Sequence, residues 1–148
     1  MKPHEKLRCY WGDGVPAVKL EQASVTSLEE KYAIHLPGDF REYLLQSCPA
    51  NEDACDNNFT FWWPLKRIKT IAEECDQHAV NNLSVALNAH KYLFFADGYI
   101  WCWAWAIACG EDEDRGRIVV VNGINDPFVA NNFAEFVDRY IEDATQLA

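Results

Sequence analysis

The chain has 148 residues, 49% of them hydrophobic and 14% aromatic, with a formal net charge of −10. That apolar and aromatic content excludes a disordered chain, and the length suits one domain burying roughly 68–70% of its unfolded surface without staples. The charge disfavours contact with a phosphate backbone, so no direct nucleic-acid partner is expected. It is also uneven: residues 92–148 hold three basic and ten acidic groups. A basic protein partner is favoured. No apolar signal region opens the chain, and the longest apolar run, Tyr99 to Cys109, has 11 residues, short of the ~20 that cross a bilayer as a helix. The expectation is a cytoplasmic chain without a membrane partner, with Cys9, Cys48, Cys55, Cys75, Cys102 and Cys109 reduced.

In chain order, residues 1–24 carry Gly12, Gly14 and Pro16 and read as an irregular lead-in with a short strand near Cys9 to Trp11, not as a separate domain. Residues 25–148 form the globular unit. Thr26 to Glu29 and Ser27 to Glu30 have capping-box spacing, which predicts a short helix carrying Leu28 and Tyr32 as far as about Ile34. In the stretch from Leu36 to Leu45, Pro37 suits the first helical turn and Asp39 and Glu42 the positive end of the helix dipole. Phe40, Tyr43, Leu44 and Ser47 then keep the spacing of one helical face. Cys48 to Asn58 reads as a polar surface loop, and Phe59 to Trp63 as an aromatic strand.

After Pro64, the positions Leu65, Ile68, Ile71, Ala72 and Cys75 predict about three helical turns ending before Asn81. Residues 83–90 stay open between helix and coil. Tyr92 to Ala96, Ile100 to Ala108 and Arg117 to Val121 are rich in aromatic and β-branched residues and predict neighbouring strands. Asp97-Gly98 has the composition of a tight hairpin turn, and Gly110 to Gly116 of a longer one. Alternation in the middle strand places Trp101, Trp103 and Trp105 on one face. The last helix starts near Asn132, with Glu135 at capping-box spacing and a stripe of Phe133, Phe136, Val137, Tyr140 and Ile141. An α+β domain follows, with a largely antiparallel or mixed sheet of about five or six strands covered by helices.

Four segments in order carry a resemblance: Leu28-Glu29 to Tyr32 with Leu36-Pro37 and Phe40 to Leu44; Trp62-Trp63-Pro64-Leu65 with Ile68; Tyr92 to Gly98 followed by Trp103; and Asn132 to Phe136. Together they resemble the SUKH superfamily, which includes the yeast cell-wall-assembly regulator and many bacterial immunity proteins. The resemblance implies the SUKH fold and a non-enzymatic protein that binds and neutralises a cognate toxin, without a cofactor. Where the family has a glycine-rich turn after its second helix, this chain has Ser47-Cys48-Pro49-Ala50-Asn51. The resemblance leaves open a regulatory scaffold, which would be expected to carry long disordered flanks. A third reading is a small-ligand or glycan module using a Trp-lined cleft.

Candidate chemistry is sparse. There is no C-x-x-C or H-E-x-x-H, so strong zinc signatures are absent; Cys75 and His78 could share a helix face, though a half-buried thiol and a surface imidazole are the simpler reading. No G-x-S-x-G, marked nucleophile or phosphate loop points to catalysis. The run Glu111-Asp112-Glu113-Asp114 does not fit a calcium loop, since Gly123 falls at its twelfth position. A charge run is usually a solvated turn; the functional reading is an edge that docks a basic surface, extended by Glu52, Asp53 and Asp56 on the other polar loop. Large rings in strands usually pack under helices, but a face of the tryptophan row, Trp103 in particular, is expected to line a cleft.

Overall fold

The computed structural model describes residues 1–75 and 80–148. Its first element corrects the sequence reading: Pro3–Trp11 is a helix, α1, and not an irregular lead-in with a strand at its end. Pro3 is placed at the helix start, where its missing N–H costs nothing, and Leu7 and Trp11, one turn apart, are both buried. Next come β1 (Ala17–Val18), α2 (Gln22–Tyr32), α3 (Gly38–Ser47) and β2 (Cys48–Pro49). β1 and β2 pair antiparallel as a separate two-stranded sheet, so the expected surface loop opens with a strand. Helix α2 starts earlier than the capping boxes suggest: its N-cap is Glu21, and Thr26 and Ser27 lie inside it.

Helix α3 buries Phe40, Tyr43, Leu44 and Ser47, the face expected from their spacing, with Pro37 one step further out as the N-cap. Asp39 ties it to the last helix, α6 (Phe133–Asp143), by accepting from the Ala134 N–H at 3.1 Å. That helix starts as expected, with the Asn132 side chain accepting from the Glu135 N–H.

The main sheet has five antiparallel strands in the order β3-β4-β5-β6-β7. They are β3 (Thr60–Trp62), β4 (Tyr92–Gly98), β5 (Trp103–Ala108), β6 (Ile118–Val121) and β7 (Phe128–Ala130). β7 was not legible in the sequence. On one face Trp62, Phe95 and Trp105 meet Phe136, with Phe40 and Phe133 against Phe95. The opposite face is also buried, so β4 is buried at every position. The three predicted turns after Pro64 are replaced by a 3-10 turn at Leu65–Arg67 and the short helix α4 (Ile71–Glu74). The open segment holds α5 (Leu83–Leu87) and a 3-10 turn at Ala89–Lys91. His78 lies outside the described residues. Among those described, no helix is long and apolar enough to cross a membrane and no group of three or more His, Cys, Asp or Glu could hold a metal ion.

Each outer strand of the main sheet has one free-edge contact. Cys55 forms an antiparallel bridge with Phe61 of β3. On β7, Arg139 donates to the Val129 carbonyl.

Candidate functional site

The β4–β5 connection is the most unusual backbone in the molecule. Sequence reading put the turn at Asp97-Gly98, but both residues belong to β4, and the chain reverses through Tyr99 to Cys102. Tyr99, Ile100 and Trp101 have φ of 52°, 55° and 62°, three consecutive non-glycine residues in the left-handed region that L-residues avoid. The Cys102 N–H closes the turn on the Gly98 carbonyl at 2.9 Å.

Two devices hold this turn. A β-bulge between Phe94 and Ala96 breaks the alternation of β4. Phe94 is opposite Ala106 and Asp97 opposite Ala104; those alanines share a face, so Phe94 and Asp97 do too, although three residues apart. From there the Asp97 carboxylate accepts from the Trp63 indole at 2.6 Å and from the Trp101 N–H at 2.7 Å. The second device is Gly98. A Cβ there would come within 2.4 Å of the Trp103 ring, so the indole lies directly on the glycine.

The turn corrects the expected tryptophan row. Trp101 packs edge-on against Phe94, while Trp103 and Trp105 lie on the α6 face. Trp105 is fully buried and donates to the Leu147 carbonyl. Trp103 is half-buried against Tyr99. No open ladder of indoles results.

What the turn exposes is apolar. Ile100 is 82% exposed, Tyr99 52% and Phe59 58%, with Phe59 and Tyr99 stacked at 5.7 Å and Phe59 itself left-handed at φ 57°. Beside this tip, on the Phe94 face, lies a groove of about 390 Å³. Phe61, Trp63 and Trp101 line it with Ile100, and Glu52 and Asp53, both exposed, complete it. Arg67 is also there, stacked 3.8 Å from the Trp63 ring and paired with Glu74 at 2.5 Å.

The acids singled out in the sequence therefore separate into three environments. Glu52 and Asp53 stand at the tip. Asp56 is no part of an exposed acidic edge, which corrects that expectation: it is buried, and its carboxylate accepts from the Asn58 and Thr60 N–H groups, the Trp62 indole and the Tyr140 hydroxyl. Glu111 to Asp114 follow the far end of β5, about 20 Å away at ~3.3 Å per strand residue. Two of these four are paired with bases of the chain, Asp112 with Lys91 at 3.3 Å and Asp114 with Arg117 at 2.6 Å, and Glu111 lies 2.8 Å from the His35 imidazole. Sequence reading missed Phe59, Tyr99 and Ile100. The signal for Tyr99 and Ile100 was the unbroken apolar run through the turn, which composition alone assigns to strand; Phe59 was likewise assigned to a strand.

The molecule is an α+β domain with a five-stranded antiparallel sheet under helices, and it carries an exposed apolar hairpin tip of the kind that marks interaction surfaces. The SMI1/KNR4 family (SUKH-1) model matches residues 19–139, and the chain belongs to that family. No curated protein matches it closely enough to count as a relative.

Proposed function

We propose that this chain is an immunity-type member of its family, which binds a cognate protein toxin and blocks it by covering its working surface. The observation that carries this reading is the β4–β5 tip. Contiguous exposed apolar side chains mark interaction surfaces, and backbone strain concentrates where function needs a shape that stability alone would not select. The formal charge of −10 suits a toxin with a basic surface, such as one that grips nucleic acid, and speeds their encounter. On this reading the chain works in the cytoplasm of the cell it protects, performs no catalysis and needs no cofactor. The glycan alternative requires stacked, open indoles, and Trp101 and Trp103 stand on opposite faces.

The test is co-expression with the toxic domain encoded beside this chain's gene. Growth should be restored by the intact chain and the two proteins should co-purify. Growth arrest that persists at full expression of the folded chain, with no complex on gel filtration, would overturn the proposal.

A further inference from the structure

Resting on that reading, we infer that the groove between Trp101 and the Glu52-Asp53 pair receives an arginine side chain of the toxin, with the exposed Ile100 at its rim covering the contact. In the groove, carboxylates without an ion pair among the described residues meet aromatic surface. Glu52 and Asp53 form no ion pair among the described residues, whereas Asp112 and Asp114 are paired with Lys91 and Arg117. Charges already matched within a molecule add little to a partner's attraction; unmatched ones at the edge of an apolar cleft add more.

The walls select the cation. A guanidinium is flat, weakly hydrated and forked, so it can lie on an indole face while directing its N–H groups to carboxylates. The molecule already contains this arrangement, because Arg67 lies 3.8 Å from the centre of the Trp63 ring while bonding both oxygens of Glu74. Arg67 is thus satisfied by its own partner and leaves Glu52 and Asp53 for an incoming cation. Asp97, which also lines the groove, is engaged by Trp63 and Trp101 and so holds the wall and not the guest. Ile100, exposed at the rim of the groove, supplies part of the water-excluding surround of such an anchor. A second copy of this chain is a poor occupant, since two such faces would oppose Glu52 and Asp53 with their like, on molecules each carrying −10.

Two measurements test this. In the first, a capped Gly-Arg-Gly peptide is titrated against the intact chain while the six indole N–H signals are followed by NMR, Trp101 being assigned with Trp101→Phe. Saturable shifts at Trp101 are expected, with none from the uncharged citrulline peptide, and the double variant E52Q/D53N should bind about tenfold more weakly. Glu52 and Asp53 are exposed, so this variant folds. Replacing Glu111, Asp112, Glu113 and Asp114 together by Gln and Asn should leave the titration unchanged. Equal shifts from the citrulline peptide, or shifts lost only in the four-residue variant, would overturn the inference. In the second, E52Q/D53N combined with Trp101→Ala, and separately the four-residue variant, are co-expressed with the toxin. If the intact chain neutralises it and E52Q/D53N combined with Trp101→Ala does so equally well, the groove is not the contact and the immunity reading stands. If the arginine peptide binds at Trp101 and the toxin is not neutralised, the groove stands and the immunity reading falls.

Discussion

Asp56 shows how one side chain can organise a core. Its carboxylate gathers donors from the loop before β3, from β3 itself and from Tyr140 of α6, the last at 2.5 Å. Removing it strands several buried donors at once, the costly direction of hydrogen-bond loss. Asp56→Ala is expected to lower the unfolding free energy by about 3 kcal/mol or more, measured by urea denaturation. A loss near that of an exposed acid would mean the node is dispensable. Nothing in Asn51 to Asn58 announces this role, because an aspartate in a polar loop looks the same whether it faces water or a buried indole. The same holds for Glu52 and Asp53, whose assignment to the tip depends on a register that only the folded sheet supplies.

Burial also sets the response to alkali. Desolvation raises the Cys48 thiol to about 11 and pushes Cys109, Tyr43 and Tyr140 upward as well, with the nearby Asp56 adding to the last. Each group is then more readily ionised in the unfolded chain, which binds fewer protons than the native one as pH rises through the unfolded values. Stability is therefore fully present below about pH 8.5, the free-thiol value, and declines above it. Urea midpoints at pH 7.5, 9.5 and 10.5 (about those values, spanning thiol and phenol titration) should fall in that order. Replacing Cys48 and Cys109 by Ala should flatten the first part of the decline.

At the scale of elements, the helices were the readable part. Phe40, Tyr43, Leu44, Phe133, Phe136, Val137 and Tyr140 keep helical spacing and are all buried. Helix α1 escaped because nine residues with two buried positions offer only one repeat of the period. The β4–β5 tip escaped for a different reason. A bulge at Phe95 moves the turn beyond Asp97-Gly98, and local propensity gives no ground for placing tyrosine, isoleucine and tryptophan consecutively in left-handed backbone. That strain is measurable. Ile100 is 82% exposed and makes little packing to lose, so Ile100→Gly should stabilise the fold by about 1 kcal/mol, read from the denaturation midpoint, while weakening toxin binding. An unchanged or lower midpoint would show that the turn is not strained at that residue.

For the whole molecule, the family match over residues 19–139 and the structural unit have different bounds. Helix α1 lies before the matched segment, yet it packs between α3 and α6, and Leu7 is fully buried. Leu7→Ala should cost about 2–5 kcal/mol, the range for a buried leucine. Measured by the same denaturation, a cost below about 1 kcal/mol would mark α1 as an ornament on the domain.

The partly engaged edges of the sheet bear on how such a protein behaves at high concentration. A molecule that displays bare hydrophobic side chains to catch a partner runs the hazard of sticking to its siblings, and the irreversible form of that hazard is growth by adding strands. Here Cys55 bridges Phe61 on the free side of β3 and Arg139 takes the Val129 carbonyl of β7, so part of each edge is already engaged and less backbone is open to a neighbour's strand. Both contacts work against growth by added strands while the apolar tip stays uncovered.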